Sequence, residues 1–206
     1  MVPTDGWSRQ KAPRGYPVPF SPPRVCGILV AMNLILIGYR ATGKTTLAQR
    51  LAERLGWPWI DADVEIERRA GRSIAQIFAE GGEPAFRQLE AQVIADLCRR
   101  DRLVLAAGGG APLRPENRQA MGRSGRVVWL CASPETILER MSADATTAGR
   151  RPSLTDHGPL DEIVQLLTCR EPIYRELAHL VVDTEGKTPE QLTEEILGLL
   201  AIQVDV

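Results

Sequence analysis

The run Asn33-Leu34-Ile35-Leu36-Ile37 is almost wholly apolar and stops at Gly38; beyond Gly43, Leu47, Leu51 and Leu55 recur at fourfold spacing until Gly56. Continuous apolar residues giving way to a period near 3.6 mark a buried strand that passes into an amphipathic helix, here Thr45–Leu55. The alternation continues along the chain. Trp59-Ile60 leads into Asp61-Ala62-Asp63 as a short second strand, and Leu103–Ala107, Val127–Leu130 and Leu180–Val182 read as three more. Between them Val64–Ala70, Ile74–Glu80, Glu83–Arg100, Pro115–Met121, Pro134–Met141, Leu160–Arg175 and Pro189–Leu200 have helical composition. Strands separated by helices imply right-handed crossovers, hence an α/β architecture with a parallel sheet covered on both faces. Ligands of such sheets bind beyond the carboxyl ends of the strands.

The first residues lack this patterning. Met1 to Pro23 holds six prolines and few periodic apolar positions, the mark of a segment that does not pack. The apolar run Val25–Val30 resembles a signal-peptide core, but the adjoining stretch is needed as the strand feeding Gly38 and no small-residue cleavage site follows. Met32 directly precedes that strand. The expected organisation is therefore a disordered or artefactual extension over residues 1–31 and one domain over 32–206.

Composition removes several function classes. A net charge of −1 gives no basic excess for a sequence-independent nucleic-acid binder, and no run of about 18 apolar residues suggests a membrane span. Cys26, Cys98, Cys131 and Cys169 are scattered, with no C-x-x-C pair, and His157 and His179 have no ligand spacing. Reduced thiols, a cytoplasmic location and a monomer are expected, with Cys98 and Cys131 as small apolar fillers and the histidines as surface or packing residues.

Gly38-Tyr39-Arg40-Ala41-Thr42-Gly43-Lys44-Thr45 fits G-x-x-x-x-G-K-[ST] between a strand and a helix. Backbone N–H groups of such a loop curl around phosphates, the helix N-terminus favours negative charge, Lys44 reaches β/γ oxygens and Thr45 offers a hydroxyl to Mg²⁺. Gly38, Arg40, Ala41, Thr42, Gly43, Lys44, Thr45 and Thr46 are the expected nucleotide contacts. The asparagines, Asn33 and Asn117, stand in no Asn-Lys-x-Asp base-reading motif, so ATP is expected rather than GTP.

Three features suggest an acceptor site. Asp61 and Asp63, two apart on the expected strand, share a face, so one carboxylate can serve the metal and the other a substrate hydroxyl. Glu90, three residues after Arg87 on a helix, can hold that guanidinium ready for a carboxylate. Gly108-Gly109-Gly110 at a strand end suits close substrate approach.

From Asn33 to about Leu199 the chain resembles the shikimate kinase family, through ILIGYRATGKTT, IDADVEIERRAGRSIAQIFAEGGEPAFRQLE, LAAGGGAP, RRPSL and CREPIYRELA. The resemblance implies a P-loop, nucleoside-monophosphate-kinase-like three-layer α/β/α fold with a five-stranded parallel sheet and a helical lid. It also implies transfer of the γ-phosphoryl of ATP to the 3-hydroxyl of shikimate, on the route to chorismate and aromatic amino acids.

Carried over by motif position, Asp63 contacts the accepting hydroxyl and Asp61 lies on the metal side with Thr45. Arg87 and Arg170 grip the substrate carboxylate, and Gly108, Gly109 and Gly110 face the ring. Arg151 is the lid arginine that reaches the phosphates, and Arg140 lies against adenine. Lys44, Asp63 and Arg151 are the catalytic set. Arg-Pro-Ser-Leu stands where the family usually has Arg-Pro-Leu-Leu, and Tyr39-Arg40 is bulkier than the common bacterial loop. A gluconate or nucleotide kinase on the same scaffold is the alternative reading. A non-catalytic ATP-binding regulator would lack Lys44, Asp63 or a substrate arginine, and all are present.

Overall fold

The computed structural model describes residues 32–143 and 158–202. The extension expected over residues 1–31 and the expected lid segment with Arg151 and His157 lie outside these. Five strands form one parallel sheet: β1 (Asn33–Ile37), β2 (Trp59–Asp61), β3 (Val104–Ala106), β4 (Gly125–Cys131) and β5 (Leu180–Asp183), in the order β2-β3-β1-β4-β5. β1 lies at the centre, with Ile35 opposite Leu105 on one side and Val127 on the other. All five of its residues are buried, as its continuous apolar character requires of a strand covered on both faces.

Seven α-helices are found among the described residues: α1 (Lys44–Leu55), α2 (Ala62–Ala70), α3 (Ile74–Leu97), α4 (Pro115–Ser124), α5 (Pro134–Ala143), α6 (Pro159–Leu177) and α7 (Pro189–Ile202). Alternate side chains of each strand enter opposite layers. Leu34 and Leu36 pack with Leu47 and Leu51 of α1 and Ile196 of α7. Ile35 and Ile37 face the other way, against Ile66 of α2, Phe86 and Val93 of α3, and Met121 of α4. A third cluster joins Tyr39 to Ile137 of α5 and Ile163 and Leu167 of α6.

Two boundaries differ from the sequence expectation. The second strand ends at Asp61 and Asp63 belongs to α2, so the two carboxylates do not share a strand face by i, i+2 spacing as expected. Asp61 instead caps the helix, its Oδ1 accepting from the backbone N–H of Asp63 at 2.9 Å. The expected helices Ile74–Glu80 and Glu83–Arg100 run together as α3, broken only at Gly82, whose φ of 66° and ψ of −172° are not helical. Pro84 follows; it has no N–H to give the helix, so the break falls where a donor would be lost.

The remaining titratable oddities are structural. Nδ1 of His179 accepts the Val127 N–H at 3.1 Å, and burial lowers its pKa, which suits an acceptor imidazole. Cys98 and Cys131 are half-buried against the larger core, and burial pushes both thiols up, so they behave as the expected fillers. No helix among the described residues is long and apolar enough to cross a membrane.

Candidate active site

The loop between β1 and α1 is shaped by its backbone. Gly38 has φ of 140°, and a Cβ there would run into the Leu130 carbonyl, so glycine is required where the loop leaves the sheet. Gly43 takes up a left-handed conformation at the N-cap of α1, and no side chain caps that helix. α1 therefore offers uncapped N–H donors to an anion. The contrast with its neighbours is direct: Asp61 caps α2, and Ser73 with Gln76 forms a reciprocal capping box on α3.

Inside the loop, the Tyr39 carbonyl accepts from the Thr42 hydroxyl at 2.8 Å and the Lys44 ammonium at 2.6 Å. The Thr45 hydroxyl donates to Oδ2 of Asp61 at 2.6 Å. Asp61 thus divides its oxygens, one fixed by the helix cap and the other turned to the phosphate loop. A hydroxyl and a carboxylate side by side are the oxygen donors a hard cation takes. Among the described residues no three His, Cys, Asp or Glu side chains gather into a metal cage. Mg²⁺ takes few protein ligands and completes its shell with phosphates and water, so this hydroxyl and carboxylate are a pair it can use.

A cavity of about 260 Å³ opens beside the loop. It is lined by Arg40, Ala41, Lys44 and Thr45 from the loop, Asp61 and Asp63 from the start of α2, and Arg87, Gly108, Gly109 and Arg170 beyond them. Ten of the residues expected from sequence therefore meet in one hollow. Arg87 donates to Glu90 at 2.7 Å and to Glu83 at 3.0 Å. Burial disfavours its charge, but the attraction of Glu90 and its hydrogen bonds to Glu90 and Glu83 more than compensate, and its pKa is raised.

The glycine run serves unequal purposes. A Cβ on Gly108 would come within 2.8 Å of Oδ1 of Asp63, and one on Gly110 would sit 2.8 Å from Cζ of Arg87. Gly108 and Gly109 line the cavity; Gly110, expected against the substrate ring, instead leaves room for the Arg87 guanidinium at the start of a single 3₁₀ turn, Ala111–Leu113.

A second hollow, of about 220 Å³, lies on the other side of the loop, lined by Ala41, Thr42, Gly43, Thr46 and Arg140 together with Thr184 and Lys187. Arg140 is held there by the hydroxyl and the carbonyl of Thr184, each at 2.9 Å. Ala41 borders both hollows. The loop thus separates two compartments, and Arg40, expected among the nucleotide contacts, lines the first and not the second.

Four contributors were not singled out from the sequence as site residues. Glu162, 3% exposed on α6, pairs with Arg40 at 3.4 Å. The Tyr174 phenol donates to the Gly109 carbonyl, and burial raises its pKa so that it stays a donor. Phe78 and Leu166 supply apolar wall. Each lies in an ordinary helical pattern, and only long-range packing brings it to the site.

Known proteins fall into line with this geometry. The family model for shikimate kinase matches residues 40–201. A shikimate kinase of Rhodopirellula baltica is 45% identical over 165 residues, 80% of this chain and 88% of that one. The shikimate kinase from Acinetobacter baumannii, solved in complex with shikimate, is 38% identical with a TM-score of 0.78, covering 84% of this chain and 94% of that one. A gluconokinase from Sinorhizobium meliloti, at 16% identity and a TM-score of 0.53, shares the fold alone, with 84% of this chain and 94% of that one covered. With the phosphate loop, the paired acids and the arginines in one cavity, the chain belongs to the shikimate kinase family.

Proposed function

We propose that the larger cavity is where shikimate receives the γ-phosphoryl group of ATP on its 3-hydroxyl, giving shikimate 3-phosphate and ADP. The observation that carries this reading is the meeting of Lys44 with Asp63, Arg87 and Arg170 in one hollow. Shikimate presents one carboxylate and three hydroxyls. Two guanidiniums and one acid are the complementary set, because arginine binds carboxylates through paired N–H donors and an acid accepts from a hydroxyl.

In this reading Arg87 and Arg170 bind the carboxylate and so orient the ring. Asp63 accepts the proton of the attacking hydroxyl as its oxygen bonds to phosphorus, while the bond from phosphorus to the β-phosphate oxygen breaks and ADP leaves. Lys44 and the uncapped N–H groups of α1 stabilise charge on the transferred group, a preorganised electrostatic role. Thr45 and Asp61 are the residues that would hold Mg²⁺, which when bound would neutralise phosphate charge. Thr42, Gly43, Thr46 and Arg140 hold the nucleotide on the other side of the loop, and Arg151 reaches the phosphates. In this reading the protein works as a cytoplasmic monomer.

Coupled ADP release from the full chain with Mg·ATP tests this, comparing shikimate with gluconate and nucleoside monophosphates. Turnover with shikimate alone is expected; turnover with gluconate or a nucleotide in its place would overturn the acceptor assignment and leave the phosphate loop reading intact.

A further inference from the structure

Tyr39 is the second residue of the phosphate loop, yet its side chain is 2% exposed and packed with Ile137, Ile163 and Leu167. Filling that space alone would need only an aliphatic group. The ring does more: the guanidinium carbons of Arg40 and Arg170 each lie 5.6 Å from its centroid, within the range where an aromatic face attracts a cation. Both arginines line the acceptor cavity. The backbone of the same residue belongs to the donor side, since its carbonyl holds Thr42 and Lys44. Arg40 is in turn paired with Glu162, which stands on α6 with Arg170. A single residue therefore contacts the phosphate-binding lysine through its main chain and the carboxylate-binding arginine through its ring.

We propose that Tyr39 is a positioning residue for the acceptor: its ring sets where the Arg170 guanidinium stands, and ties that placement to the conformation of the phosphate loop. Arg170 is also steadied by the phenol of Tyr174, four residues along α6. Tyr174 leads to the glycine loop through Gly109, whereas Tyr39 leads to the nucleotide. The inference rests on the reading of Arg170 as a carboxylate ligand.

The test uses steady-state kinetics of the full chain with each substrate varied in turn. Tyr39→Leu is expected to raise KM for shikimate by roughly 3–10-fold, the scale of a part-exposed cation–π contact, with KM for ATP changing by less than about twofold. Tyr39→Phe, which keeps the ring, is expected to restore the shikimate KM. Because position 39 is buried, an isosteric pair guards against misfolding: pentafluorophenylalanine, whose ring face repels cations, is compared with phenylalanine at that position. A shikimate KM raised only by the fluorinated ring supports the inference, and equal values overturn it.

Arg170→Ala separates the two readings. It is expected to raise the shikimate KM, and Tyr39→Leu is expected to add no further rise on that background. If Arg170→Ala raises KM but the two effects multiply, Tyr39 acts only through packing and the inference falls alone. If Arg170→Ala leaves the shikimate KM unchanged, the carboxylate assignment falls and this inference with it.

Discussion

Glu90, fully buried within α3, accepts from Nη1 of Arg87 at 2.7 Å. A buried carboxylate of this kind fixes a guanidinium that would otherwise sample many rotamers before meeting a substrate. Glu90→Ala is expected to raise KM for shikimate by about tenfold or more and to destabilise the fold by roughly 1–3 kcal/mol, the scale of a lost charge-assisted hydrogen bond, since Arg87 keeps Glu83 as a partner. Kinetics and urea unfolding read the two effects separately. Arg87→Ala, which keeps Glu90, should show the KM effect with ATP affinity preserved.

The loop lysine predicts a different signature. Lys44→Ala is expected to lower kcat by about 100-fold or more, in line with loss of a preorganised charge in a transition state, and to weaken ATP binding with it. Calorimetric titration should find shikimate binding retained. Loss of shikimate binding alone would contradict the placement of Lys44 on the donor side.

Asp61 has two duties that can be measured apart. Asp61→Asn keeps an acceptor for the α2 cap, so stability is expected to fall by less than about 1 kcal/mol. The concentration of Mg²⁺ needed for half-maximal rate should rise several-fold, because a neutral amide is a poorer cation ligand than a carboxylate. An unchanged Mg²⁺ requirement would remove Asp61 from the metal side.

Glu65 supplies a pH dependence. Its carboxyl is held at a pKa of about 2 by hydrogen bonds from Arg68, opposed by burial and reinforced by Arg69. A depressed carboxyl stabilises the fold above its ordinary pKa near 4.5, and that stability drains away as pH falls from there toward 2. Arg69 also bridges to Asp96 at 2.6 Å, so the network joins α2 to α3. Urea midpoints of wild type and Glu65→Gln should converge as pH drops from 6 toward 3, with wild type the more stable at neutral pH.

Ala41 sits at φ of 61°, in the left-handed region. The strain there costs roughly 1–2 kcal/mol, against about 0.5–1 kcal/mol of extra chain freedom that glycine would lose on folding. Ala41→Gly is therefore expected to raise stability slightly, by up to about 1 kcal/mol, observed as a higher urea midpoint.

The parts of this site that were readable in the sequence are those whose geometry is local. A strand, a glycine loop and a helix N-terminus are successive in the chain, so Gly38 to Thr45 announce their own arrangement. Arg87 and Glu90 are one helical turn apart, which is enough to pair them. Asp63 falls in α2 rather than on the expected strand because β2 has only three residues, too few for a period to separate strand from helix start. The break at Gly82 was visible as a gap between two helices, but its effect on one continuous α3 was not. Glu162 had no local signal, and Tyr174 and Tyr39, though inside CREPIYRELA and the phosphate loop, gave no sign of the contacts their side chains make. Their roles depend on α6 folding back over loops far away in sequence, where no spacing rule reaches.

The two faces of the sheet lead separate lives. Leu47, Leu51 and Ile196 support α1 in one packing unit, while Ile66, Ile77 and Phe86 pack under α2 and the stretch of α3 that carries Arg87 in another. Both units hang on one strand: Ile35 and Ile37 of β1 enter the second and Leu34 and Leu36 the first, so the backbone between Asn33 and Gly38 is the hinge pin that fixes donor loop and acceptor wall in one frame.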